Sequence, residues 1–168
     1  MRKWIILAGA RAATLAADQT SKRWIVSNLE LYESARPIPA LAPLFQFTRS
    51  SNTGAAFGIL PMAGDLFLLI ALLIVAGLLW HFRETRPEAR LAPFAIGLVI
   101  GGAFGNMLDR LQYGHVVDFI HYQIPNVISN VSNLADHAIV LGVLLVIAES
   151  LWRENRERRP TAQADDST

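Results

Sequence analysis

Cysteine is absent from the 168 residues of the chain, and charged residues are scarce at 17%. Without thiols the chain has no disulfide framework, no thiolate nucleophile and no thiolate metal site. Apolar residues make up 52% of the sequence. A soluble domain of this size cannot bury so much apolar surface in one core, so the composition disfavours a soluble enzyme and favours a single integral membrane domain.

Four apolar stretches predict membrane-spanning helices, for which about 20 residues are needed. They cover residues 4–26, 62–82, 91–111 and 133–152, and the first is the least regular because Arg11 interrupts it. Lys and Arg are concentrated before the first span, between the second and third, and after the fourth, which predicts that both termini are cytoplasmic. The predicted fold is an all-α membrane protein, a four-helix transmembrane bundle formed by residues 1–159.

The segment of residues 27–61 is predicted to be extracytoplasmic. Pro37, Pro39 and Pro43 and the alternating "LFQFT" predict short strands and turns, that is, a small β platform beside the membrane. Arg11 shortens the first apolar run to about seven residues, which disfavours a cleaved signal peptide. The polar residues 160–168 predict a disordered cytoplasmic tail.

Ionisable residues gather near the predicted outer ends of the spans. Such groups are costly in a membrane, so their presence indicates a functional site, with simple ion pairing as the alternative. Asp18 and Lys22 are spaced to pair on one helix face, and neighbouring Asp109 and Arg110 could form an interfacial pair. The glycines Gly97, Gly101 and Gly105 recur every four residues and predict close helix packing rather than a dinucleotide-binding motif.

Asp118 and Asp136 suggest the chemistry of a carboxyl pair. Two neighbouring carboxyl groups share a proton, so that one acts as a base toward water while the other acts as an acid toward a peptide carbonyl. The residues alone leave two alternatives open. A metal-dependent membrane protease could use His115, Asp118 and His121 as ligands, and a proton-coupled transporter would also carry carboxylates in its spans.

Five ordered motifs resemble the bacterial lipoprotein signal peptidases, or signal peptidase II family: "DQTSK", "NTGAAFG", "GGAFGNMLDRL", "GHVVDFI" and "NLADHAI". The resemblance implies an intramembrane aspartyl endopeptidase that cleaves diacylglyceryl-modified prolipoproteins just before the lipidated cysteine. It implies a catalytic pair of Asp118 and Asp136. The residues it implies for substrate binding or support are Asp18, Lys22, Asn52, Gly54, Asn106, Arg110 and Asn133.

The resemblance further implies a multi-pass enzyme of the bacterial inner membrane with its active site near the outer face. The expected partners are the lipid-modified prolipoprotein and membrane lipids. No nucleic acid, metal or cofactor is expected, and the enzyme is expected to be monomeric. The chain departs from the family pattern at Arg11, Ser132 and His137, and a histidine beside Asp136 could shift the working pH of the pair.

Overall fold

The computed structural model describes residues 1–54, 90–124 and 127–157, together with six helical residues between the first two ranges: Leu73, Ala76, Gly77, Trp80, Phe82 and Arg83. Most of the second predicted span, residues 62–82, therefore lies outside the described residues. The predicted tail, residues 160–168, lies outside them too.

Three long helices correspond to the other predicted spans. They are α1 (Arg2–Asn28), α2 (Leu91–Tyr113) and α3 (Leu134–Glu157). Helix α2 ends at Gly114, whose φ of 75° suits a residue without a Cβ. Within the described residues, the two stretches Leu91–Tyr113 and Leu134–Arg156 are long and apolar enough to cross a membrane.

Helix α2 packs between α1 and α3, and glycines allow the close approach. A Cβ on Gly101 would lie 2.7 Å from the Thr14 Cβ of α1, and one on Gly142 would lie 2.6 Å from the Ala95 carbonyl oxygen of α2. Gly97 meets α1 in the same way, and Gly105 faces the Asp18 carboxyl group. The predicted glycine packing is therefore confirmed: small residues bring the helix backbones together.

A four-stranded antiparallel sheet accompanies the helices. Its strands are β1 (Ser34–Ala35), β2 (Phe45–Asn52), β3 (Val116–Ile124) and β4 (Ile128–Ser132), in that spatial order. The predicted β platform was thus incomplete, because half of the sheet comes from residues 116–132 rather than from 27–61, and the fold is not all-α.

The two faces of the sheet differ in polarity. On one face, Phe47 packs edge-on against Trp24 of α1, with ring centroids 6.4 Å apart, and its register partner Ile120 joins Ile25 in a buried cluster. On the other face, His121 forms side-chain hydrogen bonds with Thr48 and other polar residues. The apolar face fixes the sheet on the C-terminal end of α1, which brings the start of β3 close to α2 and α3.

Candidate active site

Asp118 and Asp136 come from different elements and meet at one end of the helix layer. Asp118 lies on β3 and is only 3% exposed, whereas Asp136 lies in the first turn of α3. Burial and the charge of Asp136 raise the pKa of Asp118 to about 7, although hydrogen bonds from Asn52 and Asn133 act to lower it. The two carboxyl groups therefore interact, and at neutral pH Asp118 retains a proton for a substantial part of the time.

Two asparagines hold the Asp118 carboxyl group. The Asn52 Nδ2 donates to Asp118 Oδ2 at 3.0 Å, and the Asn133 Nδ2 donates to Asp118 Oδ1 at 2.6 Å. Each amide oxygen is occupied as well: Asn52 Oδ1 accepts from the Gly54 backbone N–H at 3.0 Å, and Asn133 Oδ1 accepts from that of Asp136 at 2.9 Å. An amide oxygen accepts but does not donate, so these contacts fix which end of each side chain faces Asp118.

A third asparagine holds Asp136 in the same manner. The Asn106 Nδ2 donates to Asp136 Oδ1 at 2.8 Å, while its Oδ1 accepts from Lys22 Nζ at 2.9 Å. Because an ammonium group can only donate, Lys22 determines the orientation of the Asn106 amide. Lys22 thus acts on Asp136 through one intervening side chain.

Lys22 is itself held by two buried carboxylates. Its Nζ lies 2.9 Å from Asp18 Oδ2 and 2.8 Å from Asp109 Oδ2, and the three side chains are almost completely buried. With Asn106 as the third partner, all three ammonium hydrogens have acceptors. Asp109 thus pairs with Lys22 rather than with Arg110, the pairing considered from the sequence, because adjacent residues on a helix point in different directions.

The same cluster also binds backbone groups of two other elements. The second Asp18 oxygen accepts from the Ala135 N–H of α3 at 3.0 Å, and Asp109 accepts from the Val117 N–H of β3 at 3.1 Å. Gln19 links the two carboxylates, at 3.2 Å from Asp18 and 2.9 Å from Asp109. The cluster therefore fixes the position of Asp118, next to Val117, and of Asp136, next to Ala135.

Arg110 holds the turn after β2. Its Nη2 donates to the Gly54 carbonyl oxygen at 3.2 Å, and its Nη1 to that of Asn106 at 3.4 Å. Since the Gly54 N–H orients Asn52, Arg110 supports the same turn that directs Asn52 to Asp118. Within the described residues, Arg110 Nε is buried without a hydrogen-bond partner.

A groove of about 660 Å³ opens beside Asp136. One part of its lining is polar and includes Asn52, Asn106 and Arg110, and another part is formed by α3. The α3 wall is apolar and consists of Ile139, Val140, Leu141 and Leu144. The groove therefore suits a molecule that combines a peptide-like polar segment with a large apolar portion.

The histidines proposed as metal ligands are not assembled around Asp118. His121 bonds to Thr48 at 2.9 Å and to Ser129 at 2.9 Å on the polar face of the sheet. Residues three apart in a strand point to opposite faces, so His121 and Asp118 diverge. Among the described residues, no three His, Asp or Glu side chains are grouped as a metal site would require.

All nine residues predicted for the site belong to one connected network, through the contacts given above. Sequence reasoning missed Gln19, and it considered Asp109 only for an interfacial pair with Arg110, although Asp109 is fully buried. It also gave no role to Tyr122, which lines the groove. The sequence did carry a signal for Gln19, because it lies in the "DQTSK" motif between Asp18 and Lys22, which were both predicted to belong to the site.

Comparisons with known proteins agree with this combination of fold and site. The family model described as "Signal peptidase (SPase) II" matches residues 10–152. The lipoprotein signal peptidase of Geobacillus thermodenitrificans is 41% identical over 147 residues, covering 88% of this chain and 90% of the relative. That of Bacillus subtilis is 37% identical over 145 residues, covering 86% and 92%.

Two solved structures are also similar, and both are described as bacterial membrane enzymes determined by the in meso method. One has a TM-score of 0.79 and 29% identity, covering 90% of each chain. The other has a TM-score of 0.73 and 31% identity, covering 84% of this chain and 90% of that one.

Apolar helices, a small antiparallel sheet and these neighbours define the class as a membrane enzyme. The chain belongs to the signal peptidase II family and is thus a protease of the aspartic type. This assignment replaces the transporter hypothesis.

Proposed function

We propose that the chain is an intramembrane aspartic endopeptidase that removes the signal peptide of diacylglyceryl-modified prolipoproteins just before the lipidated cysteine. The observation that carries the proposal is the pair Asp118 and Asp136, each held by an asparagine whose amide orientation is fixed. Asp136 lines the polar part of a groove that also has an apolar wall. The polar end suits the scissile peptide, and the apolar wall suits lipid and apolar side chains.

In the proposed mechanism the pair carries one proton. Asp118, whose pKa is raised to about 7, is the member that holds it, and Asp136, which lines the groove, acts as the base toward water. Asp136 takes a proton from water as the water oxygen bonds to the carbonyl carbon, while Asp118 gives its proton to the carbonyl oxygen. When the C–N bond breaks, Asp136 returns its proton to the amine, and Asp118 regains one from a hydroxyl of the intermediate.

The chain is proposed to be one domain of four spans with both termini in the cytoplasm of a bacterial inner membrane, acting as a monomer on substrates presented among membrane lipids. One contact supports this arrangement: Lys3 Nζ donates to the Phe82 carbonyl oxygen at 3.2 Å, so the start of α1 adjoins the basic segment that follows the second span. Because the chain lacks cysteine, single-cysteine variants can be labelled directly. Leu31→Cys should react from outside intact cells and Arg156→Cys only after permeabilisation, and the reverse pattern would contradict the topology.

The function is tested with a precursor in two forms, diacylglyceryl-modified and unmodified, incubated with purified enzyme. Cleavage before the cysteine of the modified form only is expected, because the apolar wall would bind the lipid portion. Asp136→Asn, purified in the same way, serves as the inactive control. Failure of the wild-type enzyme to cleave the modified precursor, or cleavage by Asp136→Asn at the wild-type rate, would contradict the proposal.

A further inference from the structure

Tyr122 and His137 form a polar contact in the lining of the groove that the mechanism above does not use. Tyr122 belongs to β3 and His137 to the first turn of α3, and both side chains are exposed and line the groove. The Tyr122 hydroxyl lies 3.1 Å from His137 Nε2. The other ring nitrogen, Nδ1, lies 2.6 Å from the carbonyl oxygen of Asn133.

The chemistry of the partners determines where the hydrogens lie. A carbonyl oxygen can only accept, so His137 Nδ1 carries a hydrogen and donates it to Asn133. In the neutral ring Nε2 is then an acceptor, and the Tyr122 hydroxyl donates to it. The phenolic oxygen keeps its own acceptor capacity, in an exposed position beside Asp136. A substrate N–H group is the natural partner for such an oxygen.

The surroundings indicate which part of the substrate this would be. Asn130 pairs with Tyr122 in the register of β3 and β4 and lines the groove as well. Tyr122, Asn130 and His137 thus add polar groups to the end of the groove that holds Asp136, away from the apolar residues farther along α3. An extended peptide next to a scissile bond exposes its backbone N–H groups, whereas a lipid chain offers none.

We propose that Tyr122 and His137 form a substrate-binding clasp, in which the Tyr122 oxygen accepts a hydrogen bond from a backbone N–H of the substrate adjacent to the cleaved bond. His137 holds the hydroxyl in place. His137 is also a positioning residue, because it binds the carbonyl of Asn133, whose side chain donates to Asp118. The inference rests on the proposed function and adds a subsite to it.

Tyr122→Phe is the direct test, because it removes the hydroxyl and keeps the ring. One net hydrogen bond is worth a modest factor, so KM should rise roughly 3- to 10-fold while kcat changes little. His137→Leu should raise KM to a similar extent and also lower kcat, since Asn133 loses a partner. If the two residues act as one clasp, the double variant should show no higher KM than His137→Leu alone.

Tyr113→Phe is the matched control, because Tyr113 contacts His115 and is not among the groove residues described. Thermal melting of each variant reports whether it is folded. Binding of a diacylglyceryl-modified peptide spanning the cleavage site, measured as a Kd without turnover, separates the two claims. Unchanged Kd and KM in folded Tyr122→Phe would overturn the clasp. A wild-type enzyme that binds but does not cleave this peptide would instead contradict the proposed function.

Discussion

At the scale of single residues, three asparagines determine how the two aspartates are presented. Asn52, Asn106 and Asn133 each have an amide oxygen occupied by a donor, so each directs its NH₂ group to a carboxylate. Fixed donors of this kind orient a carboxyl group without adding charge. The high pKa of Asp118 arises from burial and from Asp136, in opposition to two of these donors.

That pKa has a consequence for stability. The ordinary value is 3.8 and the folded value is about 7, so between these pH values the folded protein keeps a proton that the unfolded chain has lost. The contribution of Asp118 to the free energy of unfolding therefore falls as pH rises from about 4 to about 7, and is constant above that. Asp118→Asn removes this dependence.

The melting temperature of Asp118→Asn minus that of wild type should accordingly increase from pH 4.5 to pH 7 and then level off, because only the wild type loses stability through Asp118. Thermal melting of both proteins in one detergent across this range measures it. A difference in melting temperature that does not change with pH would show that Asp118 titrates at its ordinary pKa.

At the scale of elements, the Lys22 cluster joins all three helices to the sheet. Lys22→Met would leave Asp18 and Asp109 buried without their cation, and loss of one partner of a buried ion pair costs roughly 3–5 kcal/mol. We expect a large fall in the denaturation midpoint. The matched control combines Lys22→Met with Asp18→Asn and Asp109→Asn, which leaves no uncompensated charge and should be more stable than the single variant. Equal stability of Lys22→Met and wild type would contradict the structural role of the cluster.

The elements also show what the sequence could predict. Apolar stretches of suitable length predicted the helices α1, α2 and α3 to within a few residues, and α2 and α3 are long and apolar enough to cross a membrane. The strands β3 and β4 were missed. A sequence signal for them exists, because β-branched residues on both sides of a Pro-Asn pair favour a hairpin.

For the candidate site, the motifs predicted a set of residues that the structure connects in one network, but not how these residues contact one another. Asp109 follows Asn106 by three residues in the sequence, yet its partner is Lys22, 87 positions away on another helix. Contacts of this kind depend on how α1 and α2 pack, which local spacing does not contain. The orientation of each asparagine amide depends likewise on donors from distant parts of the chain.

At the scale of the whole molecule, the polar centre formed by Asp118, Asp136 and their partners lies between the sheet, which has one polar face, and the apolar residues of α3 that line the groove. The sheet supplies Asp118, α3 supplies Asp136, and the groove joins the polar end to Leu141 and Leu144. Hydrolysis of a peptide bond beside lipid requires such a combination, since water and a polar backbone must be held next to apolar surface. The central claim is that Asp118 and Asp136 act as one unit in this centre.

The most direct measurement compares turnover of a diacylglyceryl-modified precursor by wild type, Asp118→Asn, Asp136→Asn and the double variant, each shown to be folded by thermal melting. Since each member of a proton-sharing pair depends on the other, each single variant should lose roughly 10³-fold or more in cleavage rate. The double variant should be little worse than either single one. Near wild-type turnover in either folded single variant, or a double-variant loss equal to the product of the two single losses, would contradict the shared-proton mechanism.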